Sequence, residues 1–130
     1  PLWLLHGPAA PKAARAAWSA LGARLIEVPA TATGLDPAAM MATLGVLGLT
    51  RVLCEGGGQV AAALLAASLV DRLEVFGAGL TLGADGRPGL GALPIARLAD
   101  APRWHLTAAQ TEGPDLWSSW ERPFPPAPSR

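Results

Sequence analysis

Leu49-Thr50-Arg51-Val52-Leu53-Cys54-Glu55-Gly56-Gly57-Gly58-Gln59-Val60-Ala61-Ala62-Ala63-Leu64-Leu65-Ala66 joins a short apolar run to an acid, three glycines and an alanine- and leucine-rich helical pattern. It reads as a strand, a tight turn and the start of a helix. Glycines at such a turn let backbone N–H groups come close to whatever lies above the sheet edge. Glu55 stands where the expected strand ends, a common position for a functional side chain in an α/β fold. Two readings of Gly56-Gly57-Gly58 are open. One is a plain turn. The other is a turn that carries the following helix toward a diphosphate, whose oxygens the N–H groups would bind. The spacing is neither Gly-x-Gly-x-x-Gly nor a P-loop, because no Gly-Lys-Ser/Thr follows.

Upstream, Leu2–His6 is a continuous apolar run closed by Gly7-Pro8, which predicts a buried strand and a turn. Pro11–Leu21 predicts a helix, with Pro11 in its first turn and Gly22 as its stop. Ala14, Ala17, Trp18 and Leu21 share one face of that helix, the expected packing side. Arg24–Val28 is a second short strand closed by Pro29, and Thr31–Gly34 a loop. Asp36-Pro37 reads as a helix cap followed by a proline at the first helical position. Met40, Met41, Leu44 and Leu47 supply the packing side of that helix, the methionines as core filler. Gly45 and Gly48 loosen its end, and Arg51–Cys54 is the third short buried strand.

Downstream, a helix over roughly Gln59–Ser68 is anchored by Leu64 and Leu65. Leu69–Phe76 alternates as a less buried strand. Gly77–Leu93, with six glycines, predicts a long irregular connection. Pro94–Leu98 suits one helical turn. Arg103–Thr111 and Leu116–Arg122, joined by Glu112-Gly113-Pro114-Asp115, predict a hairpin. Trp117 and Trp120, three apart on its second strand, fall on opposite faces. Pro123–Arg130 is a proline-rich tail expected to be irregular. Strand–helix repeated three times, then three strands, argues for a largely parallel sheet with helices on both faces and an antiparallel hairpin at one edge.

The bulk numbers narrow the function classes. A chain of 130 residues is one domain on length alone. Ten basic and ten acidic residues cancel, and no basic patch marks a nucleic-acid partner. Charged residues are 15% against 51% hydrophobic, low for a fully solvated surface, so part of the surface is expected to be an interface. No apolar run long enough for a membrane span and no signal peptide is seen. The single cysteine, Cys54, reads as a buried small hydrophobe in a reducing, cytoplasmic setting. His6 and His105 lie far apart with no ligand spacing, so no metal site is expected. Trp3, Trp18 and Trp104 are assigned to core or interface. Asp71 is given a capping or pairing role beside Arg72, and Arg87 a solvated position, with a phosphate contact as its sharper alternative. The chain starts at Pro1, with no initiator methionine and almost inside a strand, which suggests a fragment.

The order Leu49–Gly57, Leu64-Leu65, Leu69-Val70-Asp71-Arg72-Leu73, Leu82-Gly83 and Gly113-Pro114-Asp115-Leu116 resembles the reductase domain of the riboflavin-biosynthesis RibD family. Gly34-Leu35-Asp36 and Gly48-Leu49 are similar too. The resemblance covers residues 1–122 and leaves 123–130 as the tail. It implies a dihydrofolate-reductase-like α/β fold truncated at its N-terminus. Two central strands, beside Arg51–Cys54, would lie outside the chain. The zinc-deaminase domain usual in this family has no counterpart here, since neither His-x-Glu nor Pro-Cys-x-x-Cys occurs. The resemblance implies an NADPH-dependent reduction of 5-amino-6-(5-phosphoribosylamino)uracil, carried out by the complete protein as a homodimer. It places cofactor contacts on Gly57, Gly58, Gln59, Val60, Ala61, Ala62 and Ala63, and a substrate contact on Glu55. It names no catalytic proton donor, because hydride transfer needs alignment and the cofactor carries the chemistry. Residue chemistry alone leaves Glu55 either a surface or cap carboxylate or a ligand contact, since an acid at a buried strand end is costly unless paired or wet. No basic residue near Gly57 marks a 2′-phosphate site. Rival readings are another reductase of this fold with a different substrate, a non-catalytic module, and a regulatory nucleotide-binding domain.

Overall fold

β1 (Trp3–His6) and β2 (Arg24–Glu27) pair in parallel, Leu4 against Leu25 and Leu5 against Ile26, with α1 (Lys12–Ala20) between them in sequence. The computed structural model describes residues 1–123; the expected irregular tail, beyond Pro123, lies outside the described residues. The chain divides into two units, Pro1–Glu55 and Gly56–Arg130. In the first unit Gly22 leaves α1 at φ +81, a left-handed stop that suits glycine. The loop expected at Thr31–Gly34 is a minimal hairpin of β3 (Ala30–Thr31) and β4 (Gly34–Leu35).

α2 (Pro37–Val46) begins as its sequence requires. Asp36 Oδ1 accepts from the N–H groups of Ala38 (2.8 Å) and Ala39 (3.1 Å), and Pro37 needs no acceptor. The buried apolar residues of this unit are Ala23, Ile26, Val28 and Leu44, with Val28 only 1% exposed. Met40, Met41 and Leu47 are half-buried around Leu44. Asp36→Ala is expected to cost about 1 kcal/mol, because two first-turn N–H groups lose their acceptor. A urea denaturation midpoint checks it, and Asp36→Asn should recover most of the loss.

Two expectations for this unit are corrected. The face of α1 built from Ala14, Ala17, Trp18 and Leu21 is exposed, and the helix's half-buried residue is Arg15. Helical spacing says which side chains share a face, not that another layer covers it. A pair of short strands gives α1 little surface to pack on. Arg51–Cys54 is not a strand. It has no ladder partner among the described residues, and Val52, Leu53 and Cys54 are exposed. An apolar run becomes a strand only where another strand takes its N–H and C=O groups. Here those groups stay with solvent, and Cys54 is not the buried hydrophobe its neighbours suggest.

The second unit opens with α3 (Gly58–Ala66), followed by β5 (Arg72–Gly77), β6 (His105–Glu112) and β7 (Asp115–Glu121). The three strands form one antiparallel sheet in the order β5-β7-β6. The expectation of a mostly parallel sheet is therefore corrected: the parallel part is the β1–β2 pair, and the larger sheet is antiparallel. β7 is its central strand, not an edge. The β6–β7 turn is the predicted one, with Gly113 at φ +61.

Residues 78–104 are irregular apart from short 3₁₀ turns at Gly83–Asp85 and Leu98–Asp100. The turn expected at Pro94–Leu98 sits later. Arg97 holds it by donating Nε and Nη2 to the two Asp100 carboxylate oxygens at 2.9 Å each. That bond raises the Arg97 guanidinium above its ordinary value.

One face of the sheet is fastened by Glu74. Its carboxylate accepts from the Trp117 indole N–H (3.0 Å) and the Ser119 hydroxyl (3.1 Å). Ser119 is 4% exposed, so its hydroxyl needs this acceptor. Arg72 pairs with Glu121 and approaches Glu74. Among the described residues Asp71 makes no side-chain pair beside Arg72; it offers its backbone carbonyl to the Arg122 N–H (3.0 Å). Trp120 lies on the other face and donates to Ser118 Oγ (2.9 Å).

Candidate functional site: the glycine-led helix N-terminus

α3 starts without a side-chain cap. Gly57 occupies the capping position at φ −61, ψ 167, and its carbonyl accepts from both Val60 (3.0 Å) and Ala61 (3.2 Å). The N–H groups of Gly57, Gly58 and Gln59 find no acceptor among the described residues. They are the donors any helix leaves open at its first turn, here with no acidic side chain to occupy them. Open donors at the positive end of a helix dipole are groups that favour an anion, which makes this helix start the candidate seat.

The glycines of this seat do different work. None of Gly56, Gly57 and Gly58 has a positive φ, so left-handed backbone is not the reason for them. A Cβ at Gly57 would meet nothing within 4 Å, which leaves the approach to the open N–H groups clear. Gly58 is glycine for space, because a Cβ there would lie 3.0–3.1 Å from backbone atoms of Pro88, Leu90 and Gly91.

The seven residues that the family resemblance assigns to the cofactor all lie on this one element, but not on one surface. Gly57, Gln59, Val60 and Ala63 are exposed, and Gly58 and Ala61 half-buried. Ala62 is 6% exposed, beneath the Gly91 backbone. Glu55 is exposed at the end of the first unit and makes no side-chain hydrogen bond or ion pair among the described residues. No strand ends at Glu55, so the strand-end placement is corrected, and with it the argument that the carboxylate must be paired.

Arg87 is exposed in the irregular segment. His6 Nδ1 donates to the Gly7 carbonyl (3.0 Å) and His105 lies on β6. Among the described residues no group of three His, Cys, Asp or Glu side chains gathers, and no helix is long and apolar enough to cross a membrane.

Two open depressions of the second unit lie at the other end of α3. One of about 330 Å³ is bordered by Leu65, Ser68, Arg103, Trp104 and Arg122, and one of about 210 Å³ by Leu65, Leu93, Ile95 and Pro102. Arg122 is already engaged there. It donates to the Ser68 carbonyl (2.7 Å), and its guanidinium lies 6.0 Å from the Trp104 ring centre. The chemistry favoured by the open N–H groups is thus at the glycine end, not in these depressions. The contact that sequence reading missed is the one between Gly58 and the Pro88–Gly91 segment. Its signal was the glycine spacing at Gly89 and Gly91 after Pro88.

The profile of the RibD C-terminal domain family matches residues 9–118. Riboflavin biosynthesis protein RibD of Escherichia coli K12 is 38% identical over 94 residues, which is 72% of this chain and 25% of that protein. The Haemophilus influenzae protein of the same name is 36% identical over 78 residues, covering 59% of this chain and 21% of its own length. The chain thus spans about a quarter of the curated relatives it matches. Among solved structures, Acinetobacter baumannii RibD aligns with a TM-score of 0.70 at 20% identity, over 93% of this chain and 31% of that one. A pyrimidine reductase-like protein from Corynebacterium diphtheriae aligns at 0.73 and 20%, over 95% of this chain and 50% of that one. These two likenesses carry the fold: mixed α/β, shared with part of the RibD structures. The family match spans the glycine-led helix, the strand after it and the final hairpin as far as Ser118, and on it this chain belongs to the RibD C-terminal domain family, the dihydrofolate-reductase-like reductase domain of riboflavin biosynthesis.

Proposed function

We propose that this chain contributes the dinucleotide-facing part of an NADPH-dependent reductase acting on 5-amino-6-(5-phosphoribosylamino)uracil. The family uses NAD(P)H. The observation that carries the reading is the uncapped start of α3. Three N–H groups there have no acceptor among the described residues, and a Cβ at Gly57 would meet nothing within 4 Å. A diphosphate suits open N–H donors at a helix N-terminus in charge. The N–H groups of Gly57, Gly58 and Gln59 hold its oxygens. Val60 and Ala63, exposed on the same helix, give the dinucleotide an apolar surface to lie along. Glu55, exposed and without a side-chain partner among the described residues, accepts hydrogen bonds from the substrate's ribityl hydroxyls or ring N–H groups. When bound, the nicotinamide would supply a hydride to the sugar C1 of the open imine form, and with a proton taken up by the imine nitrogen from water this gives the ribitylamino product and the oxidised cofactor. The protein's share is positioning and charge neutralisation.

A homodimer is part of the proposal. Val75, Leu106 and Leu116 lie on one face of the β5-β7-β6 sheet and are each about half exposed, an apolar patch suited to a second copy.

The deciding experiment is titration of the complete protein that carries this chain with NADPH, followed by single-turnover oxidation of NADPH with and without the phosphoribosylaminouracil. Saturable binding with turnover only in the presence of that substrate supports the proposal. Binding with turnover on another substrate moves it to a different reductase. Absence of binding removes it.

A further inference from the structure

Gly91 is outside the set of residues that the resemblance assigns to the cofactor, and it lies in a segment with little regular structure. It is nevertheless joined to the helix that carries that set. Its N–H donates to the Gly58 carbonyl at 2.8 Å. The fit is close from both sides. A Cβ on Gly91 would lie 3.1 Å from the Gly58 carbonyl oxygen, 3.3 Å from Gln59 Cα and 3.4 Å from Ala62 Cβ. A Cβ on Gly58 would lie 3.0 Å from the Gly91 nitrogen and the Pro88 carbonyl oxygen. Most of these neighbours are backbone atoms, which cannot swing aside as the end of a long side chain can. Neither glycine has a positive φ, so the close approach, not the conformation, requires glycine. Gly89, two residues away, has open space around it.

We propose that Gly58 and Gly91 form a backbone clasp that sets the orientation of the first turn of α3, making Gly91 a positioning residue of the cofactor site. The inference rests on the NADPH reading above. The open donors of Gly57, Gly58 and Gln59 are useful only if they converge on the same oxygens. A first turn with no side-chain cap has little of its own to hold it. The clasp supplies that restraint from outside the helix, at the residue whose N–H is one of the donors. It also anchors the middle of the irregular segment, which runs from the end of β5 at Gly77 to the start of β6 at His105.

The test compares Gly91→Ala, Gly58→Ala and the double variant in the complete protein that carries this chain, with Gly89→Ala as the control in the same segment. Gly91→Ala is expected to raise the Kd and KM for NADPH about tenfold, because the donors are misplaced by a fraction of an ångström. The kcat at saturating NADPH should stay within about twofold, since the chemistry itself is untouched. Adding Gly91→Ala to Gly58→Ala should cost little further, because both break one contact. Gly89→Ala should bind as wild type.

Amide exchange of Gly91 in the unaltered protein gives a reading that needs no variant. Saturating NADPH should slow it. A wild type that binds NADPH, with Gly91→Ala binding equally well or Gly91 exchange indifferent to NADPH, overturns the clasp and leaves the reductase reading standing. A wild type that binds no NADPH removes both.

Discussion

Replacing Gly57 with valine is expected to weaken NADPH binding about 30-fold or more while leaving the protein folded. The two halves of that expectation have separate causes. The fold should survive because a Cβ at Gly57 meets no atom within 4 Å, and its φ of −61 with ψ of 167 is open to any residue. Valine is a poor capping residue, so the helix start loses about 1 kcal/mol, a tolerable amount. Binding should not survive, because the clear space is the approach to the open N–H groups of Gly58 and Gln59. Two methyl groups standing there keep a phosphate oxygen out of hydrogen-bond range. A hydrogen bond to a charged group contributes roughly 1.5–3 kcal/mol, so losing one or two accounts for about 30-fold and upward. Fluorescence titration with NADPH, alongside a thermal melt, checks both halves. Gly57→Ala should fall between wild type and valine. An unchanged affinity for Gly57→Val with an intact fold would mean that the diphosphate lies elsewhere, and the seat at α3 would lose its function.

That seat was legible in the sequence because its signals are local. Three glycines before an alanine- and leucine-rich run mark a helix that starts without a polar cap, and α3 does so. Asp36-Pro37 and the Gly113-Pro114 turn were legible for the same reason: the residue that makes the feature is within a few positions of it. Features that depend on distant partners were not. Arg51–Cys54 carries the apolarity of a buried strand, but apolarity states what a segment would gain from burial, not whether a neighbour exists. β7 pairs with β5 across the whole irregular segment, so its central place is set by a pairing no local pattern encodes. The same holds for the Gly58–Gly91 contact, which joins residues 33 positions apart. The face of α1 shows the converse. Its apolar spacing was read correctly as a face, and nothing in that spacing says whether the face is covered.

The opposite end of α3 governs stability, and truncating Leu65 there is expected to cost about 3 kcal/mol. Leu65 is 6% exposed, next to Leu64 at 9%, in a unit whose other deeply buried apolar side chain is Ala62. Leucine-to-alanine changes in cores cost roughly 2–5 kcal/mol, the larger values where a sealed void is left. Leu65 borders both depressions at the helix's C-terminal end, so its removal widens space already open to water, which argues for the lower half of that range. Leu80→Ala, at 77% exposure, should stay within about 0.5 kcal/mol of wild type. Urea midpoints at unchanged slope measure the difference. An equal effect of the two substitutions would show that α3 does not pack as described. The same measurement separates the two ends of the helix. A ligand that binds only the folded state adds about 2.7 kcal/mol at one hundred times its Kd. The glycine seat and Leu65 are roughly 10 Å apart along a helix that rises about 1.5 Å per residue, so Leu65→Ala should still gain that increment from NADPH. Gly57→Val, less destabilised to begin with, should gain only about 0.9 kcal/mol or less at the same NADPH concentration, because a Kd raised about 30-fold leaves the ligand at roughly three times that Kd.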